Sequence, residues 1–240
     1  MDTYILVHGA WHNGNLLGDV ADQIRNSGHE VHTPTLKGNR DGDLKSTKLH
    51  EAIDSLVSYI EENQIKDSIL IGHSYAGMVI TGAFDKLDKN YIKRLVYWNA
   101  FVPNPGESLN DMVPSQYISL FDSITKDDGS VMLPFAIWRE AFINDGDIDM
   151  AKYYYDKLNP HPYMTFTDSI ELSQAPAEMQ VGKSYIVCHD DIALPANLPW
   201  HPRLSQKLGL HRLVSMPGSH ESCFTNPKLL AKKMIEAGRE

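Results

Sequence analysis

Ser74 lies in a local sequence that could make its hydroxyl group a nucleophile. It is at the centre of the segment GHSYAG, residues 72–77, between a predicted buried strand and a predicted helix. A sharp strand-to-helix turn strains the backbone at the serine, so the residues two before and two after it must be small. Gly72 and Ala76 meet this requirement, although Ala76 departs from the G-x-S-x-G pattern by one methyl group. The segment therefore predicts a serine nucleophile.

His220 is the candidate base for this nucleophile. A serine hydroxyl reacts poorly unless a base removes its proton, and in this setting the chain order is serine, then Asp or Glu, then histidine. Among the 11 histidines, His220 is the one that follows a predicted strand at 210–215 by a short loop and precedes a predicted helix. Ser74 and His220 are therefore predicted to be the catalytic pair.

The candidate acid follows another predicted strand, at 183–188. Two adjacent carboxylates, Asp190 and Asp191, stand in the loop that leaves this strand. An acid in that loop would orient the histidine and stabilise its charged form. Asp191 is the preferred candidate because it leaves room for the turn before Pro195, and Asp190 remains the alternative.

Acyl transfer also needs two hydrogen-bond donors aimed at the oxyanion. In a strand-turn-helix site, one is the backbone N–H of the residue after the nucleophile, and the other comes from the loop after the first core strand. Those positions are Tyr75 and Ala10, and Gly9 lets the backbone turn towards the site. We therefore predict that the backbone N–H groups of Ala10 and Tyr75 form the oxyanion hole.

The elements that must position these residues alternate between strands and helices. Short β-branched runs predict the strands, and apolar residues at helical spacing predict the helices. This alternation predicts an α/β fold with a doubly wound, mostly parallel sheet of about six strands, and catalytic groups at the carboxyl ends of the strands. The predicted strands are residues 4–7, 29–33, 68–71, 92–98, 183–188 and 210–215, and the predicted helices lie at 15–26, 46–63, 75–86, within 198–208 and at 226–237.

The segment 103–182 interrupts this alternation and predicts an inserted, mainly helical cap. Seven prolines separate short helical pieces at 135–144 and 148–158. Its aromatic and methionine side chains are expected mostly to pack the cap on the sheet, with some lining an apolar substrate pocket. The whole chain, 1–240, is predicted to be a single domain containing this insertion. The candidate pocket residues, two of them from the cap, are Trp11, His12, Phe101, Trp138 and Phe142.

Composition restricts the class of partner. The formal net charge is −9 with neutral histidines, and the basic residues form no stripe interleaved with aromatics, so nucleic acid is not an expected partner. No run approaches the roughly 20 apolar residues that cross a bilayer, and the N-terminal residues lack the basic start of a signal peptide. Cys188 and Cys223 form no disulfide framework. We therefore expect a cytoplasmic globular protein without a membrane span.

Five segments together resemble one group of enzymes, the α/β-hydrolases of the plant salicylate methyl esterase and hydroxynitrile lyase type with their bacterial esterase relatives. The resemblance implies the α/β-hydrolase fold and a triad at Ser74, Asp191 and His220, with oxyanion donors at Ala10 and Tyr75. It also favours Asp191 over Asp190, because the family's acid lies four residues before its proline. The segments are VHGAWHNG at 7–14, IGHSYAG at 71–77, AFVPNPGESL at 100–109, YIVCHDDIALP at 185–195 and GSHESCFTNPKLL at 218–230.

Two departures from the lyase branch distinguish between reactions. Hydroxynitrile lyases of this group have a threonine in the first loop and a lysine directly after the histidine, whereas this chain has Gly9 and Glu221 there. A carboxylate beside the histidine opposes an anionic leaving group such as cyanide, so lyase chemistry is disfavoured. The segment 116–171 matches the plant enzymes poorly, so their substrates do not transfer to this chain.

These observations predict a serine hydrolase that cleaves the carboxylic ester of a small or medium, apolar substrate without a cofactor or metal. The alternatives are non-hydrolytic use of the same site, as a lyase or a cofactor-free dioxygenase, and a ligand receptor that has kept the fold. A metal site at His189, Asp190, Asp191 and His201 matches none of the usual zinc spacings. The oligomeric state is not readable from the residues, and a homodimer is one alternative.

Overall fold

A central sheet of six parallel strands organises the chain, of which the computed structural model describes residues 1–239. The strands in chain order are β1 (Thr3–Val7), β2 (Glu30–His32), β3 (Ser68–His73), β4 (Ile92–Trp98), β5 (Ser130–Val131), β6 (His161–Pro162), β7 (Gly182–Cys188) and β8 (Arg212–Met216). The central sheet has the order β2-β1-β3-β4-β7-β8, and β5 and β6 form a separate antiparallel pair. The predicted mostly parallel sheet of about six strands is confirmed.

Helices flank this sheet in two layers. Helix α1 (Gly18–Asn26) packs against α9 (Pro227–Gly238), which also contacts β7 and β8. Helix α2 (Leu49–Glu62) packs against α3 (Ala76–Lys86), which contacts β3 and β4. The doubly wound arrangement predicted from the alternation of elements is therefore present. The α-helices are α1 (Gly18–Asn26), α2 (Leu49–Glu62), α3 (Ala76–Lys86), α4 (Ser115–Ile124), α5 (Phe135–Ile137), α6 (Ile148–Tyr155), α7 (Met164–Thr167), α8 (Ser222–Thr225) and α9 (Pro227–Gly238).

The central strands are apolar because helices cover both of their faces. Every residue of β3 is buried, as are four of the five residues of β1. Continuous β-branched runs are typical of strands that are buried on both faces of a parallel sheet, which is why periodicity and composition predicted them. The strands β1, β3, β4, β7 and β8 all lead into loops at one edge of the sheet, where the candidate site residues lie.

Some predicted helices begin or end elsewhere. The α-helix predicted at 46–63 begins at Leu49, because the backbone N–H of Lys48 donates to the Glu51 side chain over 2.9 Å and caps the helix there. The helix expected within 198–208 is a π-helical turn, Trp200–Leu204, followed by a 3₁₀ turn, Ser205–Leu208. His201, the residue before Pro202, has an extended backbone (φ −121°, ψ 136°), so a regular helix does not form across this position.

Between β4 and β7 the chain forms a group of short elements. It contains α4 to α7 and the β5–β6 pair. The helix predicted at 135–144 is α5 followed by a π-helical turn, Trp138–Phe142, and the helix predicted at 148–158 is α6. Asp147 caps α6 by accepting a hydrogen bond from the backbone N–H of Met150 at 2.8 Å.

Within residues 1–239, no helix has both the length and the apolar character that crossing a membrane requires.

Candidate active site

The turn between β3 and α3 presents the hydroxyl group of Ser74. The φ angle of Ser74 is +54°, which is a left-handed conformation that non-glycine residues rarely adopt. The turn is held by the Ser74 carbonyl, which accepts hydrogen bonds from the backbone N–H groups of Gly77 at 3.0 Å and Phe101 at 3.1 Å. A Cβ atom added to Gly72 would lie 2.9 Å from the Ala76 carbonyl oxygen. The small residues predicted around Ser74 are therefore required by the close approach of strand and helix.

His220 lies in the loop after β8 and is held by its own ring contacts. Its ring stacks on Trp200 at a centroid distance of 5.2 Å and meets the edge of Phe142 at 5.2 Å. Its backbone carbonyl accepts a hydrogen bond from Nε2 of His73 at 3.0 Å. Only 1% of His220 is exposed. The ring orientation is thus fixed on several sides by neighbouring side chains.

Asp191 is the carboxylate that contacts His220. Its Oδ2 atom accepts a hydrogen bond from Nδ1 of His220 at 2.6 Å. In contrast, Oδ2 of Asp190 accepts a hydrogen bond from the backbone N–H of Gly218 at 2.8 Å. The structure therefore places Asp191 against the histidine and uses Asp190 to fix the loop in front of it.

Two further donors satisfy the Asp191 carboxylate. The backbone N–H of Ala193 donates to Oδ1 at 2.8 Å, and Nδ2 of Asn99 donates to Oδ2. The Asn99 amide has only one orientation, because its Oδ1 accepts the backbone N–H of Cys188 at 2.8 Å. With Nδ1–H of His220 donating to the carboxylate, Nε2 is the basic nitrogen of the neutral ring. Sequence reasoning did not find Asn99, since a single asparagine after a strand carries no pattern.

The predicted oxyanion donors lie on the same cavity as Ser74 and His220. Ala10 and Tyr75 both line this cavity. Among residues 1–239, neither backbone N–H donates a hydrogen bond to another residue. Two buried backbone donors without an acceptor are unusual, because buried N–H groups are nearly always paired. The arrangement is suited to an oxygen atom that develops negative charge beside Ser74.

Trp11 connects the loop after β1 to the β4–β7 segment. Its φ angle is +64°, and three hydrogen bonds hold this conformation. Its carbonyl accepts the backbone N–H of Asn159 at 2.6 Å, its backbone N–H reaches Nδ1 of His161 at 3.4 Å, and its Nε1 donates to the Val131 carbonyl at 3.0 Å. The loop that carries Ala10 is therefore fixed by residues far away in sequence.

An apolar cavity that is partly open to solvent lies over Ser74. Of the five candidate pocket residues, Trp11, Phe101 and Phe142 line it, whereas His12 and Trp138 do not. Trp138 is fully buried and packs on Tyr155, with ring centroids 5.8 Å apart. The remaining lining residues come from the β4–β7 segment and from the chain after Asp191: Leu109, Val113, Tyr117, Phe121, Phe166, Ala193, Leu194 and Trp200.

His12 forms a buried ion pair behind the loop of Ala10. Its Nε2 lies 3.0 Å from Oε2 of Glu221, and its Nδ1 lies 2.6 Å from the carbonyl oxygen of Ala10. Burial alone would lower the pKa of His12, but the charge and hydrogen bond of Glu221 outweigh it, so the pKa is raised above 6.5. His12 does not line the apolar cavity over Ser74, but it lines a second, small cavity together with Ser74 and His220.

No group of three or more His, Cys, Asp or Glu side chains is arranged to hold a metal ion anywhere in residues 1–239. Of the four residues considered for such a site, Asp190 and Asp191 already bond Gly218 and His220.

Comparison with known proteins identifies the fold family. The sequence profile of the Alpha/beta hydrolase family matches residues 4–233. A solved structure of an extracellular alpha/beta-hydrolase from a Paenibacillus species is 30% identical over the full length of both chains, with a TM-score of 0.96. It is described as sharing structural and functional homology with tobacco salicylic acid binding protein 2.

Curated relatives extend this likeness to enzymes. The carbendazim hydrolyzing esterase of Nocardioides sp. is 42% identical over 119 residues, a match that spans 48% of this chain and 48% of that esterase. Methylesterase 18 of Arabidopsis thaliana is 22% identical over 262 residues, spanning 98% of this chain and 96% of its own length. The family profile covers nearly all of the elements that position Ser74, Asp191 and His220. The chain belongs to the alpha/beta hydrolase family.

Proposed function

We propose that this protein is a serine esterase in which Ser74, His220 and Asp191 form the catalytic triad. The observation that carries the proposal is the 2.6 Å contact between Asp191 and His220, with His220 and Ser74 on the wall of one cavity. Relatives named as esterase and methylesterase support ester hydrolysis in the same family.

In the proposed mechanism, Nε2 of His220 takes the proton of Ser74 as Oγ attacks the ester carbonyl. The carbonyl oxygen becomes an oxyanion and accepts hydrogen bonds from the backbone N–H groups of Ala10 and Tyr75. His220 then gives its proton to the departing alcohol, which leaves an acyl group on Ser74. A water molecule, activated by His220 in the same way, releases the acid. Asp191 orients the ring throughout and stabilises its charged form.

The shape and chemistry of the cavity support a neutral, apolar substrate of small or medium size. Its wall is formed mainly by aliphatic and aromatic side chains, and the lining side chains that carry a polar atom are Ser74, His220, Tyr75, Tyr117, Trp11 and Trp200. The Tyr117 hydroxyl already donates to the Ala193 carbonyl at 2.7 Å. Since no side chain with a full charge stands on the wall, a substrate with a free carboxylate would lose its hydration without gaining a partner.

We further propose that residues 103–182 act as a cap within a single domain comprising 1–240. Six cavity-lining residues come from this segment, and they lie opposite the Ser74 turn. Sequence differences in the cap would then change the acyl and alcohol groups accepted without changing the triad. The six residues are Leu109, Val113, Tyr117, Phe121, Phe142 and Phe166.

The direct test is labelling by an organophosphonate together with hydrolysis of p-nitrophenyl butyrate. We expect the purified protein to hydrolyse the ester and to carry the label on Ser74, as located by peptide mass spectrometry. Ser74→Ala should lose both properties, whereas Ser123→Ala, a matched change at an exposed serine, should keep them. Hydrolysis that survives in Ser74→Ala would exclude the proposed mechanism. Oxygen uptake on a hydroxyquinolone without ester turnover would favour a dioxygenase, and tight binding without turnover would favour a receptor.

Location and assembly belong to the proposal as well. Cys188 and Cys223 are buried free thiols, which supports the reducing cytoplasm, although the Paenibacillus relative is described as extracellular. Cell fractionation with an antibody decides between the two.

A homodimer is supported by the exposed apolar residues Leu210 and Leu213 at the edge strand β8. Sedimentation velocity measures the assembly directly.

A further inference from the structure

The ion pair between His12 and Glu221 has no part in the triad, yet it joins two of the loops that form the site. His12 lies two residues after Ala10, and Glu221 directly follows His220. The side chains are 2% and 1% exposed, so this pair is shielded from solvent. Burying two charged groups costs desolvation free energy, which only good geometry offsets. A buried ion pair outside the triad therefore calls for a structural explanation.

Both ring nitrogens of His12 have acceptors. Nε2 faces the Glu221 carboxylate at 3.0 Å, and Nδ1 faces the Ala10 carbonyl oxygen at 2.6 Å. Neither acceptor can donate, so the ring makes both hydrogen bonds only when both nitrogens carry protons. The ring of Phe224 stacks on His12 at 5.6 Å and 13° and prevents it from tilting. The doubly protonated ring of His12 therefore holds the carbonyl group of Ala10, the residue whose backbone N–H is the proposed oxyanion donor.

We propose that the His12–Glu221 pair positions the oxyanion donor of Ala10 relative to His220, an inference that rests on the proposed esterase function. Gly9, on the other side of Ala10, gives the loop rotational freedom. The hydrogen bond from His12 to the Ala10 carbonyl removes that freedom, and so fixes the direction of the Ala10 N–H. Glu221 ties His12 to the loop of His220. Both members are positioning residues, because neither contacts the reacting atoms.

The position of Glu221 gives this inference its specificity. Glu221 is itself fixed, since its backbone N–H donates to the Phe142 carbonyl at 3.1 Å. Its carboxylate accepts hydrogen bonds from Nε2 of His12 at 3.0 Å and from Sγ of Cys223 at 3.7 Å, so it is directed towards His12. Glu221 lines a small cavity with His12 and His220, and its ion pair with His12 links the residue after the proposed base to the loop of the oxyanion donor.

The kinetic test compares His12→Ala, Glu221→Gln and the double variant with the wild type on p-nitrophenyl butyrate. Organophosphonate titration counts the competent sites, so kcat is expressed per site and unfolded protein does not contribute. We expect His12→Ala to lower kcat about 100-fold and Glu221→Gln about tenfold, with KM changed less than about threefold, because loss of oxyanion contacts acts on the transition state. The double variant should be no worse than His12→Ala alone, since the two residues act through one another.

The matched control makes the same carboxylate-to-amide change as Glu221→Gln, but at an exposed ion pair. Asp54→Asn converts a carboxylate to an amide in an exposed ion pair with Lys86, and it should leave kcat and KM unchanged. Amide hydrogen exchange of residues 9–13 tests the pair without any substrate. This segment should exchange faster in His12→Ala and Glu221→Gln, and at the wild-type rate in Asp54→Asn.

The two measurements separate the possible failures. Exchange of residues 9–13 that is unchanged in His12→Ala would overturn the positioning role, and so would faster exchange with kcat per site within twofold of the wild type. A wild type that hydrolyses no ester and takes no label on Ser74 would instead refute the proposed function. In that case the exchange measurement still decides whether the pair fixes the loop.

Discussion

Nδ2 of Asn99 donates a hydrogen bond to Oδ2 of Asp191, the same carboxylate oxygen that accepts a hydrogen bond from His220. Asn99 lies directly after β4, is fully buried, and has a φ angle of +36°. A strained, buried polar residue persists only where the surrounding contacts hold it. Oδ1 of Asn99 accepts a hydrogen bond from the backbone N–H of Cys188, which fixes the orientation of the amide, so Nδ2 donates to Asp191. The amide is thus a fixed part of the surroundings of the proposed acid.

Replacing this amide by a carboxylate should impair turnover more than binding. Asn99→Asp keeps the size of the side chain and the acceptor for Cys188, but it puts a second carboxylate against Asp191. We expect kcat for p-nitrophenyl butyrate to fall at least about tenfold with a smaller change in KM, so that kcat/KM loses about 1.4 kcal/mol of transition-state stabilisation. Asn90→Asp, the same change at an exposed position, should have no effect. A wild-type kcat/KM in Asn99→Asp would show that the amide is not needed.

Gly77 should tolerate a methyl group far less well than a glycine in open space. A Cβ atom at Gly77 would lie 2.0 Å from the Phe101 carbonyl oxygen, which is backbone and cannot move aside. We expect Gly77→Ala to lose more than about 3 kcal/mol of unfolding free energy. At this chain length that corresponds to a fall of roughly 10 °C in Tm, measured by differential scanning calorimetry.

Gly18→Ala is the control for this change. No atom lies within 4 Å of a Cβ added there, and the residue has helical backbone angles at the start of α1. Alanine is the better helix former by about 1 kcal/mol, so Gly18→Ala should keep or raise Tm. Equal Tm values in the two variants would mean that the close contact with Phe101 at the start of α3 does not constrain position 77.

The strands of the central sheet could be predicted because short, continuous apolar and β-branched runs are typical of strands buried on both faces of a parallel sheet. That the loops of Ser74, Asp191 and His220 lie at one edge of the sheet could also be predicted, because each follows a parallel strand and those strand ends share that edge. The structure brings Asp191 to His220, and places Ser74 and His220 on one cavity. Chain order and strand ends were therefore sufficient to place these loops together.

Contacts between distant segments could not be predicted in this way. His12 and Glu221 are 209 residues apart, and no local pattern links them. Trp138 and Phe142 were both predicted as pocket residues within one helical segment, but only Phe142 reaches the cavity over Ser74, since Trp138 lies one turn earlier against Tyr155. Periodicity indicates which face of a helix is buried and gives no information on which turn meets the cavity.

Shortening a cavity-lining side chain should shift substrate preference towards longer acyl groups. Phe121 is buried and lines the cavity beside Trp11 and Phe166. In Phe121→Ala the vacated space can bury two further methylene groups, worth about 0.8 kcal/mol each. We therefore expect the ratio of kcat/KM for p-nitrophenyl hexanoate to that for butyrate to rise about tenfold over the wild type.

Trp138→Phe serves as the control, because this residue is buried in the same segment but does not line the cavity. Its indole N–H has no hydrogen-bond partner among residues 1–239, so phenylalanine leaves no acceptor unpaired. The hexanoate-to-butyrate ratio should stay at the wild-type value even if Tm falls. A ratio that rises equally in both variants would indicate general loosening of the segment rather than a change in the cavity wall.

Acid should destabilise the protein in a pH window set by buried neutral histidines. The Leu36 backbone N–H donates to Nε2 of His8 at 3.1 Å, and Nδ1 of His8 faces the Gly9 carbonyl at 2.9 Å. This ring is therefore neutral, and burial lowers its pKa from 6.5 to about 4. Burial also lowers the pKa values of His73 and His161 well below 6.5. Protons consequently bind the unfolded chain more strongly than the folded one in this range.

The sign of the effect follows from linkage. Each depressed pKa contributes stability that is fully present above pH 6.5 and is lost as pH falls towards the folded value, about 4 for His8. That shift corresponds to about 3 kcal/mol from His8 alone. Urea unfolding at intervals from pH 7 to pH 4 should therefore show a smaller decline in His8→Gln than in the wild type. His50→Gln, at an exposed position, should follow the wild-type curve. Parallel curves for all three proteins would show that protonation of His8 does not drive acid unfolding.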